Sequence, residues 1–363
     1  TLGPYRFDLP LVASAMDGVV SPETAVLTHK LGGLGVLNLE GIWTRFEDAE
    51  QQLERVSKAP RDEATAIMQE IYETPVKSEL IAQRISEIKA AGAVVCGSLT
   101  PQSVQQHYEV AVEAGLDILV IQGTVISAEH VSTTVEPLNL KEFISEVPIP
   151  TVVGGCASYS TGLHLMRTGA VGVLVGVGPG AACTTRGVLG IGVPQATAIA
   201  DVAAARSQHM LETGEYVNVI GDGGMRTGGD ISKAIACGAD AVMIGSPLAR
   251  AKEAPGRGYH WGMATFHSSL PRGTRVTTVQ DGTMEEILLG PAHTNDGTFN
   301  LMGALRTSMA TCGYEDIRSF QRAEMMIAPA LMTEGKKLQQ EQSVGMGSNG
   351  RAAVSAGVEV ADD

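Results

Sequence analysis

The stretch GVLVGVGPGAACTTRGVLGIGVPQ, residues 172–195, joins a β-branched apolar run to a glycine-rich loop carrying one thiol, and the rest of the chain can be placed around it. Residues 172–175 have the composition of a buried strand. After them come glycines at 176, 178, 180, 187, 190 and 192 and a proline at 179, which forbid a long regular element. The backbone is therefore free to fold closely around something small and to present Cys183 to it. A lone cysteine is most often a small buried hydrophobe. Cys183, however, is followed directly by Thr184, Thr185 and Arg186, and a cation with nearby N–H groups favours the thiolate, so it reads as a nucleophile.

The same unit of apolar run and turn recurs at residues 11–15, 33–37, 93–97, 118–121, 151–154, 217–221 and 241–244. Between most of these runs, as at 22–31, 104–114, 161–168, 196–205 and 229–237, apolar residues fall at helical spacing of three and four. Gly115 and Gly238 stand where a helix C-cap requires glycine. Eight βα alternations with nearly continuous apolar strands predict an α/β fold, a closed (β/α)8 TIM barrel, because a parallel sheet is covered on both faces. An open doubly wound sheet meets the same alternation. A barrel places function at the C-terminal ends of its strands. There the chain carries Ser14, Met16 and Asp17 after strand one, Gln122, Gly123 and Thr124 after strand four, and the Cys183 loop after strand six. Asp222, Gly223 and Gly224 follow strand seven, and Gly245 and Ser246 follow strand eight. Glycine turns in those last two loops read as a phosphate cradle of backbone N–H groups, the alternative being tight turns alone. Asp222 beside them suits a ribose diol, or else a helix N-cap.

Composition narrows the partners. The 363 residues are 44% hydrophobic and 18% charged, with a formal charge of −14, which argues against nucleic-acid or anionic-membrane binding. Five scattered cysteines without a CxxC pair predict neither a disulfide framework nor a zinc site and fit a reducing cytoplasm. No apolar run approaches the ~20 residues of a membrane span, and TLGPYRFDLP lacks a signal-peptide pattern, so the chain is expected to be soluble. It starts at Thr1, and further N-terminal residues are expected. A single barrel domain is expected over 1–332, with a solvated helical excursion at 44–75, an irregular lid at 250–300, a helix over 301–312 and a flexible tail over 333–363.

The Cys183 loop, GDGGMRTGGDISKAIACGADAVMIGSPLA and ASAMDGVVSPETAVLTHKLGGLGVLN together resemble the IMP dehydrogenase/GMP reductase family of purine-nucleotide oxidoreductases, and MGALRTSMATCGY extends the likeness. The stretch that carries two CBS modules in ordinary IMP dehydrogenases has no counterpart, so the chain is most similar to a CBS-lacking bacterial branch. The resemblance implies that Cys183 attacks purine C2 while a hydride leaves to a nicotinamide cofactor, NAD, with Thr185 assisting water. It implies a potassium ion on the carbonyls of Gly178, Gly180 and Cys183. It assigns Asp222 to the ribose, Gly180, Gly224, Gly245 and Ser246 to the phosphate region, and Ser14, Met16, Met263 and Ala264 to base and sugar. Gln122, Gly123, Thr124 and Gly176 would face the cofactor, and a homotetramer is implied.

Three departures from the family pattern shape the expected chemistry. Ala181 replaces a phosphate-loop serine, removing a hydrogen bond of ~1 kcal/mol. Gln122–Gly123–Thr124 stands where Asp-Ser-Ser is common. Arg272, in Pro271–Arg272–Gly273, replaces an acidic or amide residue; this disfavours ammonia chemistry and suits Arg272 to water activation, the alternative being phosphate or carboxylate pairing in a surface loop. IMP oxidation is therefore the leading expectation, ahead of GMP reduction and of a silent nucleotide-binding regulator.

Overall fold

The computed structural model describes residues 1–123, 138–262, 275–326 and 339. Strands β1 (Leu11–Ala13), β2 (Leu34–Asn38), β3 (Cys96–Leu99), β4 (Ile118–Gln122), β5 (Thr151–Cys156), β6 (Gly172–Val175), β7 (Asn218–Asp222) and β8 (Ala241–Ile244) form one closed parallel barrel in sequence order. Closure is made by β1 on β8, with Leu11 opposite Val242, Val12 opposite Met243 and Ala13 opposite Ile244, which excludes the open sheet. The pleat sorts side chains between two cores. Leu34, Val36, Ile118, Val120, Leu174 and Met243 fill the barrel interior, which Leu2 of the N-terminal segment joins. Leu37, Leu119, Ile121 and Val173 turn outward to the helices.

The expected helices are present as Pro22–Lys30, Val104–Glu113, Tyr159–Met166, Gln195–Thr213 and Gly228–Ala236. The fourth runs well past the expected 205, because its buried face continues through Arg206 and His209 until Gly214 turns left-handed at φ 77°. Strand β3 starts three residues later than the apolar run. Val95 is held by Asp117, whose carboxylate accepts the Val95 N–H at 2.8 Å, while the Val95 carbonyl accepts from Asp117 and Ile118.

Two expectations are corrected. The 44–75 excursion is not merely solvated: helices Ala49–Lys58 and Ala64–Glu73 bury a stripe of Leu53, Val56, Met68 and Ile71. With helix Ser78–Ala90 and a short turn at Ile42–Thr44 they make up the whole β2–β3 connection, which holds no further module. The 250–300 region is also partly regular. It contains the antiparallel pair β9 (Tyr259–Trp261) and β10 (Arg275–Thr277), then helix Met284–Leu289, whose Met284, Ile287 and Leu288 are buried. Arg275 ties this pair to the excursion by donating to the carbonyls of Val56, Ser57 and Ala59. Helix Leu301–Thr311 falls where expected, and the tail from 333 lies outside the described residues apart from Gln339. Among the described residues no helix is long and apolar enough to cross a membrane.

Candidate active site

The Cys183 loop is clasped by side chains of its own segment. Arg186 donates from Nε to the Val177 carbonyl at 3.0 Å and from Nη2 to the Val193 carbonyl at 2.6 Å. Gln195 Nε2 donates to the Val175 carbonyl at 2.6 Å and the Asp222 carbonyl at 3.3 Å. Glycine is needed where the loop wraps the arginine: Gly178 has φ 67°, and a Cβ there would lie 2.9 Å from Arg186 Cγ. Arg186, read from the sequence as a cation beside the thiol, also serves as a tether, its guanidinium holding two carbonyls of the loop. Within the clasp, Cys183 is half-buried and its thiol donates to Thr185 Oγ1 at 3.2 Å. Thr185 is fully buried at the start of the short helix Thr185–Leu189, and the Cys183 N–H donates to the Gly180 carbonyl at 3.1 Å.

The loops after β7 and β8 meet this one. Gly223 and Gly224 are both left-handed, at φ 75° and 81°; a Cβ on Gly224 would lie 2.9 Å from Pro179 Cβ, and one on Gly223 would lie 3.5 Å from the Gly180 nitrogen. The proposed phosphate turn and the thiol loop are thus in contact. Gly245 serves the same close approach on the other side, since a Cβ there would lie 2.5 Å from Met16 Sδ and 3.6 Å from Ser14 Cβ. Ser14 is fixed by its N–H on the Ile244 carbonyl at 2.9 Å. Ser246 Oγ lies 2.8 Å from His260 Nε2, and His260 Nδ1 lies 2.7 Å from Thr278 Oγ1. His260 is buried, which pushes its pKa down to about 4 and keeps the ring neutral at neutral pH. Neither His260 nor Thr278 was singled out by sequence; the signal was a histidine between two aromatic residues in YHW.

Asp222 ends β7 with its carboxylate under Gln122, whose Nε2 donates to Oδ2 at 3.1 Å. Burial raises the Asp222 pKa to about 7, and the Gln122 bond works in the opposite direction. Gln122, expected against the cofactor, therefore also braces the ribose candidate. Its Oε1 and that of Gln195 are buried and lack a hydrogen-bond partner among the described residues. Gly123 continues the β4–β5 pairing, donating to the Gly154 carbonyl at 2.8 Å and accepting from the Gly155 N–H at 3.2 Å. Gly176 lies beneath the Asp222 carbonyl, 2.3 Å from where its Cβ would be. Thr124, Met263, Ala264 and Arg272 lie outside the described residues.

A second network supports the β1 loop. Asp17, buried beside Met16, accepts the Ile42 N–H at 3.0 Å and the Tyr72 hydroxyl on the same oxygen, and Tyr72 in turn accepts from Trp261 Nε1 at 2.8 Å. This chain joins the β1 loop, the excursion and β9. Burial raises the Asp17 pKa to about 6 despite those hydrogen bonds.

The profile of the IMP dehydrogenase / GMP reductase domain matches residues 4–338. The chain belongs to that family. An uncharacterized oxidoreductase of Mycobacterium tuberculosis is 47% identical over 335 residues, covering 90% of this chain and 89% of that protein. An inosine-5'-monophosphate dehydrogenase of Cryptosporidium parvum is 32% identical over 261 residues, covering 68% of this chain and 61% of that one. An IMP dehydrogenase/GMP reductase-like protein of Corynebacterium glutamicum superposes with a TM-score of 0.85 at 44% identity, covering 90% of this chain and 88% of that one.

The site fits the groups that the IMP dehydrogenase/GMP reductase family implies. The orphaned Gln122 Oε1 is a buried acceptor suited to a carboxamide N–H or a ribose hydroxyl of a nicotinamide cofactor. For a monovalent cation, the Gly180 carbonyl keeps a second lone pair after accepting the Cys183 N–H. Such a carbonyl site needs none of the His, Cys, Asp or Glu clusters that are absent among the described residues.

Proposed function

We propose that the protein is an IMP dehydrogenase of the CBS-lacking kind, oxidising IMP to XMP with NAD and water. The observation that carries this reading is the meeting of two loops: the one after β6, with the Cys183 thiol and its Thr185 partner at 3.2 Å, and the one after β7, with the Asp222 carboxylate and the left-handed Gly223–Gly224 turn. In this assignment Asp222 accepts hydrogen bonds from the ribose diol, and Gly180, Gly224, Gly245 and Ser246 receive the phosphate. Ser14 and Met16, with Met263 and Ala264, hold base and sugar. Cys183 Sγ, its proton removed, bonds to C2 of the purine. The hydrogen on C2 leaves with its electron pair as hydride; Gln122, Gly123, Thr124 and Gly176 would hold the nicotinamide cofactor, which would supply the hydride acceptor. Water oriented by Thr185 and Arg272 then adds to C2, the C–S bond breaks, and the thiol regains a proton as XMP leaves. The carbonyls of Gly178, Gly180 and Cys183 would hold a potassium ion that keeps the loop ordered, and the assembly is assigned as a homotetramer.

The test is absorbance of reduced nicotinamide with purified protein in potassium buffer, supplying IMP plus NAD and, separately, GMP plus NADPH. Signal growth in the first mixture supports the dehydrogenase. Decay in the second alone overturns it in favour of GMP reduction, and silence in both, with IMP still raising the melting temperature, favours a nucleotide-binding regulator.

A further inference from the structure

His260 is a buried imidazole held between two hydroxyl groups, with Ser246 Oγ 2.8 Å from Nε2 and Thr278 Oγ1 2.7 Å from Nδ1. A neutral imidazole carries one N–H, so only one ring nitrogen donates and the other must accept. If the proton sits on Nδ1, it points at Thr278 Oγ1, and Nε2 takes the Ser246 hydroxyl proton. Ser246 then turns only lone pairs towards the site. If the proton sits on Nε2, the ring donates to Ser246 Oγ, the Ser246 hydroxyl proton is released towards the site, and Thr278 donates to Nδ1. Phosphoryl oxygens are acceptors, so the second arrangement binds a phosphate and the first repels it.

We propose that His260 is a positioning residue that, as its Nε2–H tautomer with Thr278 donating to Nδ1, aims the Ser246 hydroxyl proton at the phosphate of a purine nucleoside monophosphate. This rests on the phosphate assignment of Ser246 made above and adds the group that gives the serine its direction. Because His260 lies on β9 and Thr278 directly follows β10, the same bonds tie the phosphate position to both strands of the pair.

The test compares IMP with inosine, which lacks the phosphate, in calorimetric titrations of the full chain. Thr278→Val is expected to weaken IMP binding roughly tenfold while leaving inosine affinity unchanged. His260→Leu should do the same, and His260→Gln, whose amide can donate to Ser246 and accept from Thr278, should stay within about threefold of the parent. Nitrogen-15 spectra of histidine-labelled protein, independent of any variant, should show His260 as the Nε2–H tautomer with IMP bound. Equal weakening of IMP and inosine by Thr278→Val, or an Nδ1–H tautomer in the IMP complex, overturns the proposal. If the parent protein binds IMP but Thr278→Val leaves that affinity untouched, only this inference falls. Failure of the parent to bind any purine nucleotide overturns the functional reading and this inference together.

Discussion

Replacing Asp222 by asparagine should stabilise the ligand-free protein while weakening its hold on nucleotide, and the stabilisation should depend on pH. The carboxyl has an ordinary value of 3.8 and is raised to about 7 by burial. Ionising it inside the folded chain therefore costs more than ionising it in the unfolded one. Below pH 3.8 both states are protonated and there is no penalty. As pH rises towards 7 only the unfolded chain gives up the proton, so stability falls, and above 7 the full penalty applies. At about 1.36 kcal/mol per pH unit, the penalty is about 2 kcal/mol at pH 5 and about 4 kcal/mol at pH 8. The asparagine side chain has no charge to bury and keeps an oxygen for the Gln122 amide, so the variant should gain about 2–3 kcal/mol on its parent between those two pH values.

Urea denaturation followed by the fluorescence of Trp43 and Trp261, both buried, measures this. The decisive quantity is the variant-minus-parent difference at pH 8 less the same difference at pH 5. Any fixed effect of the amide cancels in it, as does the titration of Asp17, raised to about 6, which both proteins share. If the two proteins lose stability in parallel between pH 5 and 8, the carboxyl is not raised, and a half-buried ribose acceptor awaiting its diol is the wrong picture. The same substitution should weaken IMP binding by about 1.5–3 kcal/mol, the usual worth of hydrogen bonds to a charged acceptor. More stable and less functional is the signature of a site that stores unsatisfied charge.

Cys183→Ala should abolish nicotinamide reduction while IMP still raises the melting temperature; residual turnover would refute covalent chemistry. Arg186→Met should free the Val177 and Val193 carbonyls, lowering turnover at least tenfold and exposing residues 176–194 to limited proteolysis while the barrel keeps its circular dichroism. Gly224→Ala combines a left-handed backbone with a Cβ 2.9 Å from Pro179, a strain of about 1–2 kcal/mol that should appear as weaker IMP binding in calorimetry. Gly228→Ala would place a methyl 2.3 Å from Ala304 Cβ between helices Gly228–Ala236 and Leu301–Thr311, and should cost about 1–3 kcal/mol of stability by urea denaturation without changing the KM for IMP.

The barrel was legible because each strand is a short apolar run buried on both sides, and because the turns that end the runs are punctuated by glycine. What could be read of the site obeyed the same condition of contiguity. Cys183 and Thr185 are two residues apart, and Gly223 and Gly224 adjoin, so their chemistry is written in one place. What failed was pairing across the chain. Adjacency in sequence set Arg186 beside the thiol but did not show its bonds to the Val177 and Val193 carbonyls, which arise because the loop closes on itself and a guanidinium can hold two carbonyls at once. Gln122 and Asp222 are a hundred residues apart, and nothing in either segment marks them as partners. The excursion read as solvated because its charges are dense, although a helix needs only one apolar stripe to dock, and Leu53, Val56, Met68 and Ile71 supply it. Docking those helices places Tyr72 between Asp17 and Trp261, so a segment that touches none of the proposed reacting atoms sets the β1 loop carrying Ser14 and Met16. Local motifs therefore mark the groups proposed to react in this barrel, while the contacts of Arg186, Gln122, Tyr72 and His260 around them emerge only from the closure of the chain.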